Sequence, residues 1–171
     1  MNAHPGGLDH TRRMLALAAL PAGASVLDLG AGAGESVRLL RELGFDARGL
    51  DLSPRSPLVE KGDLLAVPCP DGSFDAVLSQ CAFFLTGDVP GALREARRLL
   101  KPGGKLLLSD LAFSPLRPLT EAAGFTVLCE EDLTPLWREY YLDALWREDE
   151  PCRCEIPRGK CRYTLLIAER R

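Results

Sequence analysis

Hydrophobic positions along the chain switch repeatedly between two spacings. Thr11 to Leu20 carries apolar side chains at helical spacing and stops at Pro21 and Gly23. Ser25–Leu29 is a short apolar run before glycines, which predicts a buried strand. Val37, Leu39, Leu40 and Leu43 return to helical spacing within Glu35–Leu43, with Gly44 as the stop. The alternation continues. Strands are expected at Ala47–Leu52, Leu58–Lys61, Phe74–Ser79, Lys105–Leu111, Phe125–Cys129 and Arg162–Glu169, and helices at Pro90–Leu100, Pro115–Gly124 and Leu133–Trp146. Lys101-Pro102-Gly103-Gly104 is expected to connect the helix before it to the strand after it, and a polar loop to cover Arg147–Lys160. Strands alternating with helices imply an α/β fold, doubly wound, with a mostly parallel sheet covered on both faces. Ligands of such sheets bind beyond the carboxyl ends of the strands. A glycine cluster falls there.

Composition narrows the classes. The 171 residues suit a single domain, on a prior of about 150 residues each. With 46% hydrophobic and 26% charged residues, the chain is globular rather than disordered. Twenty-one Lys and Arg against 24 Asp and Glu leave no one-signed field for a phosphate backbone or anionic lipid, so neither nucleic acid nor membrane is an expected partner. Met14–Leu20, the longest apolar stretch near the N-terminus, is too short to span a bilayer and lacks signal-peptide flanks. A cytoplasmic protein, monomeric or homodimeric, is expected. Length and apolar content also favour free thiols over three disulfides for Cys69, Cys81, Cys129, Cys152, Cys154 and Cys161.

The glycine cluster sits in Val26-Leu27-Asp28-Leu29-Gly30-Ala31-Gly32-Ala33-Gly34-Glu35, which reads as strand, turn, helix. Glycines let a ligand approach the backbone, and the following helix start offers unpaired N–H groups. Asp51 ends the next strand 21 residues after Gly30, where a carboxylate can accept both hydroxyls of a ribose. A nicotinamide dinucleotide wants G-x-G-x-x-G, but the third glycine position is Glu35, whose carboxylate repels a pyrophosphate. S-adenosylmethionine has no phosphate and carries ammonium and sulfonium charges, which suit Asp28 and Glu35. A packing turn that holds no ligand is the alternative.

These residues resemble the class I S-adenosylmethionine-dependent methyltransferases, of the compact kind that act on small molecules. Val26-Leu-Asp-Leu-Gly-Ala-Gly-Ala-Gly matches their first motif and Gly49-Leu-Asp-Leu-Ser the second-strand motif. Gly62-Asp63-Leu64-Leu65 with Asp71-Gly-Ser-Phe-Asp75 is similar to their third region, and Arg98-Leu-Leu-Lys-Pro-Gly-Gly-Lys to their fifth-strand entry. The resemblance covers about residues 23–111 and implies a Rossmann-like fold and methyl transfer from S-adenosylmethionine to a small-molecule acceptor, with S-adenosylhomocysteine as product. It divides the chain into an N-terminal helix or lid (1–22), a cofactor-binding core (23–111) and a substrate-side half with closing strands (112–171). By position it implies that Asp28, Gly30, Gly32 and Gly34 shape the methionine pocket. Asp51 would hold the ribose with Leu52 beside it, Asp63 and Leu64 would contact the adenine, and Ser79 would lie at the methionine end. Asp28, Asp63 and Ser79 equally suit turn caps or a satisfied strand end.

Several features fall outside that pattern. Only 11 residues, including Pro54 and Pro57, separate Asp51 from Asp63, which predicts that the second crossover helix is reduced to a turn or a short segment. No catalytic residue is assigned. His10 can lie over the cofactor or be an exposed helix-start histidine. Cys81, in Ser79-Gln80-Cys81, resembles the Ser-Asn-Cys segment of arsenite methyltransferases, and Cys152, Cys154 and Cys161 could join it in a soft-atom site. Idle thiols are the other reading. Trp137, Tyr140, Tyr141 and Trp146 read as a core stripe, and Phe83 and Phe84 as substrate wall or packing. The alternatives to a small-molecule methyltransferase are a thiol- or metalloid-methylating enzyme, a non-catalytic S-adenosylmethionine-binding protein, and an NAD(P)-dependent reductase.

Overall fold

The computed structural model describes residues 4–145 and 161–171. Strands run over Ser25–Leu29 (β1), Asp46–Asp51 (β2), Val59–Lys61 (β3), Phe74–Gln80 (β4), Leu100–Ala112 (β5), Phe125–Asp132 (β6) and Arg162–Arg170 (β7). Helices cover Gly7–Ala18 (α1), Glu35–Glu42 (α2), Val89–Leu99 (α3), Leu116–Ala122 (α4) and Thr134–Leu145 (α5), with one 3-10 turn at Phe83–Thr86. The strands form a single seven-stranded sheet in the order β3-β2-β1-β4-β5-β7-β6. Neighbours are parallel from β3 through β5, and β7 is wedged antiparallel between β5 and β6. The order reverses at β1, so the cleft beyond the β1 and β4 ends is the topological switch point.

Strand residues alternate between two cores, as a period of two requires. Val26, Ala76, Leu78, Leu107, Leu165 and Ile167 face Met14 and Leu15 of α1 and Val37 and Leu40 of α2. Leu27, Leu29, Val77, Leu106, Leu108 and Leu166 face Leu93, Ala96 and Leu99 of α3 and Leu116 of α4. Burial on both faces explains why β1, β4 and β5 read as unbroken apolar runs.

Three boundaries differ from expectation. α1 begins at Gly7 rather than Thr11, because Gly6 opens the helix and its carbonyl accepts the His10 N–H at 3.2 Å. His10 is therefore inside the helix and buried. Lys101-Pro102-Gly103-Gly104 lies within β5 and not before it. Phe74 already pairs with Leu100, and the next pair, Ala76 with Lys105, shows that the chain bulges out through these four residues. β6 continues past Cys129 to Asp132, because its charged end still pairs with Thr164 of β7.

The connection from β2 to β3 contains no helix, as the short spacing predicts. A parallel crossover this short closes because β3 is only three residues long. Val59 pairs with Gly49, so the chain returns by just two residues from the end of β2.

Candidate functional site

β1 delivers its glycine turn against the tips of β2 and β4. Gly30 N–H donates to the Leu50 carbonyl at 2.8 Å, which holds the turn onto β2. Gly30 has φ +83°, and a Cβ there would come within 2.3 Å of the Ala82 Cβ just past β4. Any side chain would fill the approach to the strand ends. Gly34 caps the start of α2, and Glu35 is the first helical residue.

Asp51 ends β2 facing this turn. Its Oδ2 accepts the Gly32 N–H at 2.9 Å and its Oδ1 the Ser53 N–H at 2.8 Å. The carboxylate is thus fixed in place, and each oxygen keeps a further lone pair for a hydroxyl. Leu52 beside it is 67% exposed. Arg55, in the shortened crossover, lays its guanidinium against Gly32 and donates its backbone N–H to the Gly32 carbonyl at 2.9 Å.

Asp28, next to last in β1, is only 4% exposed. Burial, followed by the charge of Asp51, raises its pKa to about 7. Two carboxyl groups therefore stand near one end of the sheet, and burial holds the Asp28 carboxyl partly protonated near neutral pH.

The remaining residues singled out in the sequence are spread across the fold. Asp63 follows β3 and accepts the Leu65 N–H at 2.9 Å, with half-buried Leu64 between them. Ser79 of β4 is fully buried and donates to the Leu29 carbonyl at 2.9 Å. Phe83 is fully buried as packing. Tyr141 is buried, with its ring 5.2 Å from that of Trp137. Cys69, Cys81, Cys129 and Cys161 are not joined in disulfides, whereas Trp146, Cys152, Cys154 and the Arg147–Lys160 stretch lie outside the described residues. Among the described residues no group of three His, Cys, Asp or Glu side chains is placed to hold a metal ion.

The structure also gathers polar residues that sequence reasoning passed over. Asp110 of β5 is buried and accepts the N–H groups of Phe83 at 2.8 Å, Phe84 at 3.2 Å and Leu111 at 2.8 Å, which anchors the 3-10 turn after β4. Burial raises its pKa to about 7 against the pull of those N–H donors. Gln80 Oε1 accepts from Thr11 Oγ1 at 3.0 Å and Ser36 Oγ at 3.3 Å, tying α1 and α2 to the end of β4. Ser109 and Tyr163 bond to each other and, through Ser109, to His10. In the sequence Ser109 and Asp110 are only a polar pair inside the apolar strand β5, and nothing local marks Tyr163 near the start of β7.

This geometry has counterparts. The methyltransferase domain family matches residues 27–108. The 2-phytyl-1,4-naphtoquinone methyltransferase of Thermosynechococcus vestitus is 33% identical over 162 residues, 82% of this chain and 71% of that protein. The malonyl-[acyl-carrier protein] O-methyltransferase of Serratia marcescens is 34% identical over 124 residues, 67% of this chain and 49% of that protein. The chain spans about half the length of several curated relatives it matches. Among solved structures, the Haemonchus contortus phosphoethanolamine N-methyltransferase 2 in complex with S-adenosyl-L-methionine shares the fold, with a TM-score of 0.76 at 19% identity over 98% of this chain and 53% of that one. With the glycine turn, the strand-end acid and the sheet order all in place, the chain belongs to the class I S-adenosylmethionine-dependent methyltransferases.

Proposed function

We propose that the protein transfers a methyl group from S-adenosylmethionine to a small-molecule acceptor. The observation that carries this reading is the pair of carboxyl groups beside the glycine turn, buried Asp28 and half-buried Asp51, the latter holding the Gly32 N–H. The donor set fits the cofactor. Asp28 with Gly30, Gly32 and Gly34 suits the cationic amino-acid end, Asp51 and Leu52 suit the ribose, Asp63 and Leu64 suit the adenine, and Ser79 steadies the β1 end behind them. When bound, the cofactor supplies a methyl carbon activated by a positive sulfur. The chain's own residues then hold the acceptor in line and exclude water. α1 would serve as the lid, residues 23–111 as the cofactor core and 112–171 as the acceptor side. Among the described residues no helix is long and apolar enough to cross a membrane. That fits a cytoplasmic enzyme, monomeric or homodimeric, without nucleic-acid partners, as does the net charge of −3.

Isothermal titration tests the reading. S-adenosylhomocysteine should bind saturably and NADH should not, and Asp51→Ala should weaken binding by at least about tenfold, the loss of one charge-assisted hydrogen bond. A labelled-methyl screen across phenols, thiols, amines and arsenite then identifies the acceptor class. Binding of NADH, or unchanged affinity in Asp51→Ala, would remove the proposal.

A further inference from the structure

A file of four polar side chains runs inward from the tip of β4. Cys81 Sγ lies 3.6 Å from the Tyr163 hydroxyl, that hydroxyl is 2.5 Å from Ser109 Oγ, and Ser109 Oγ is 2.8 Å from His10 Nε2. The four come from the end of β4, from β7, from β5 and from α1. Tyr163 and Ser109 are fully buried, His10 is 5% exposed, and Cys81 is the half-buried end nearest the switch point.

Two features separate this file from ordinary packing. Cys81 has φ +57°, in the left-handed region, and its N–H is held at 2.9 Å by the Ser109 carbonyl. A non-glycine residue there costs on the order of 1 kcal/mol, which glycine would avoid while losing the thiol. The hydrogen-bond roles also close in sequence. The thiol can donate to Tyr163, Tyr163 to Ser109, and Ser109 to His10 Nε2, and both hydroxyls can reverse direction. Burial, with His4 and Arg13 adding to it and Glu131 opposing, lowers the His10 pKa to about 4, so its ring is neutral and one nitrogen is an acceptor. Tyr163, faced by Cys81 and Asp110, is held protonated chiefly by burial.

We propose that Cys81 is a catalytic thiol of the methyl-transfer site, taking the acceptor's proton and relaying it through Tyr163 and Ser109 to His10. The proposal rests on the methyltransferase reading. The acceptor's proton arrives at Cys81 Sγ as the thiol's own proton moves to the Tyr163 oxygen. The Tyr163 proton moves to Ser109 Oγ and the Ser109 proton to His10 Nε2. Thiol, phenol and hydroxyl end as they began, and the imidazolium returns its proton outward along the same file on product release. Tyr163, Ser109 and His10, which do not touch the acceptor, are positioning residues.

The test needs no acceptor. Iodoacetamide alkylation of Cys81 is followed by peptide mass spectrometry from pH 6 to 9, with Cys69 as internal control and S-adenosylhomocysteine affinity measured on each variant. The thiolate is the reacting form, and the file supports it by turning its donors toward sulfur. Tyr163→Phe should therefore slow Cys81 alkylation by about tenfold, the effect of one hydrogen bond to a charged atom. His10→Leu, two side chains further in, should slow it in the same direction, and His10→Gln, which restores an N–H, should recover most of the rate. Saturating S-adenosylhomocysteine should shield Cys81 and not Cys69. Unchanged alkylation in Tyr163→Phe, faster alkylation in His10→Leu, or no shielding overturns the relay. Failure of the wild type to bind S-adenosylhomocysteine overturns the methyltransferase reading instead.

Discussion

Asp28, which we propose faces the cationic end of the cofactor, carries a stability cost in the free fold when charged. Its carboxyl titrates near 7 in the folded chain against 3.8 when unfolded, so the folded state binds more protons between those values. The stability this contributes is complete below about pH 4 and is lost as pH rises through about 7. Asp110, raised for the same reason, adds to the trend. Asp28→Asn should therefore stabilise the free protein at pH 8, by on the order of 1–3 kcal/mol in thermal or urea melts, and leave it little changed at pH 4. The same variant should bind S-adenosylmethionine poorly. In the wild type, affinity should climb about tenfold per pH unit below 7 and level off above it, because a cation and a proton compete for one carboxylate. A flat affinity profile across pH 6–8 would show that Asp28 does not face the cationic end. Residue type and spacing were enough to single out Asp28 and Asp51. Ser109, Asp110 and Tyr163 were not legible, because their roles come from contacts across β5, β7 and α1 that no local pattern encodes.

At the scale of elements, the glycine turn works because β1 and β4 end side by side. Gly30 and Gly44 both have left-handed backbones, at φ +83° and +85°, but only Gly30 has a neighbour where a Cβ would go. Gly44→Ala should cost about 1 kcal/mol, the backbone share alone. Gly30→Ala should add an overpacking cost, for a total of about 2–4 kcal/mol, and should abolish S-adenosylhomocysteine binding. Equal urea midpoints for the two variants would contradict the close packing of the turn on Ala82. The strands and helices themselves were readable, since two-sided burial writes continuous apolar runs and one-sided burial writes a helical stripe. Two of the missed boundaries share a cause: pairing with a neighbour extended β5 through a proline and two glycines and β6 through three acidic residues, against local preference. The missing crossover helix was readable from length alone.

Across the whole molecule, the switch point joins parts that are otherwise tied mainly through the sheet. α1 reaches β4 through Thr11 and Gln80, β5 through His10 and Ser109, and β6 through the ion pair of Arg13 and Glu131 at 2.5 Å. The acidic residues at β1 and β2 stand on the other side of the same cleft. A ligand bridging the cleft stabilises every element that lines it, and the gain follows from mass action. At a hundred times its dissociation constant, S-adenosylhomocysteine should add about 2.7 kcal/mol, or about 5–10 °C in melting temperature for a chain of this size. Hydrogen exchange should locate that gain. Slowing is expected in residues 28–35 and 51–55, and also in α1, whose buried His10 and Thr11 must be released for the helix to open. Protection confined to the glycine turn would mean that α1 is a fixed part of the core and does not respond to the site. Protection spreading into α1 would establish it as the lid over the acceptor side.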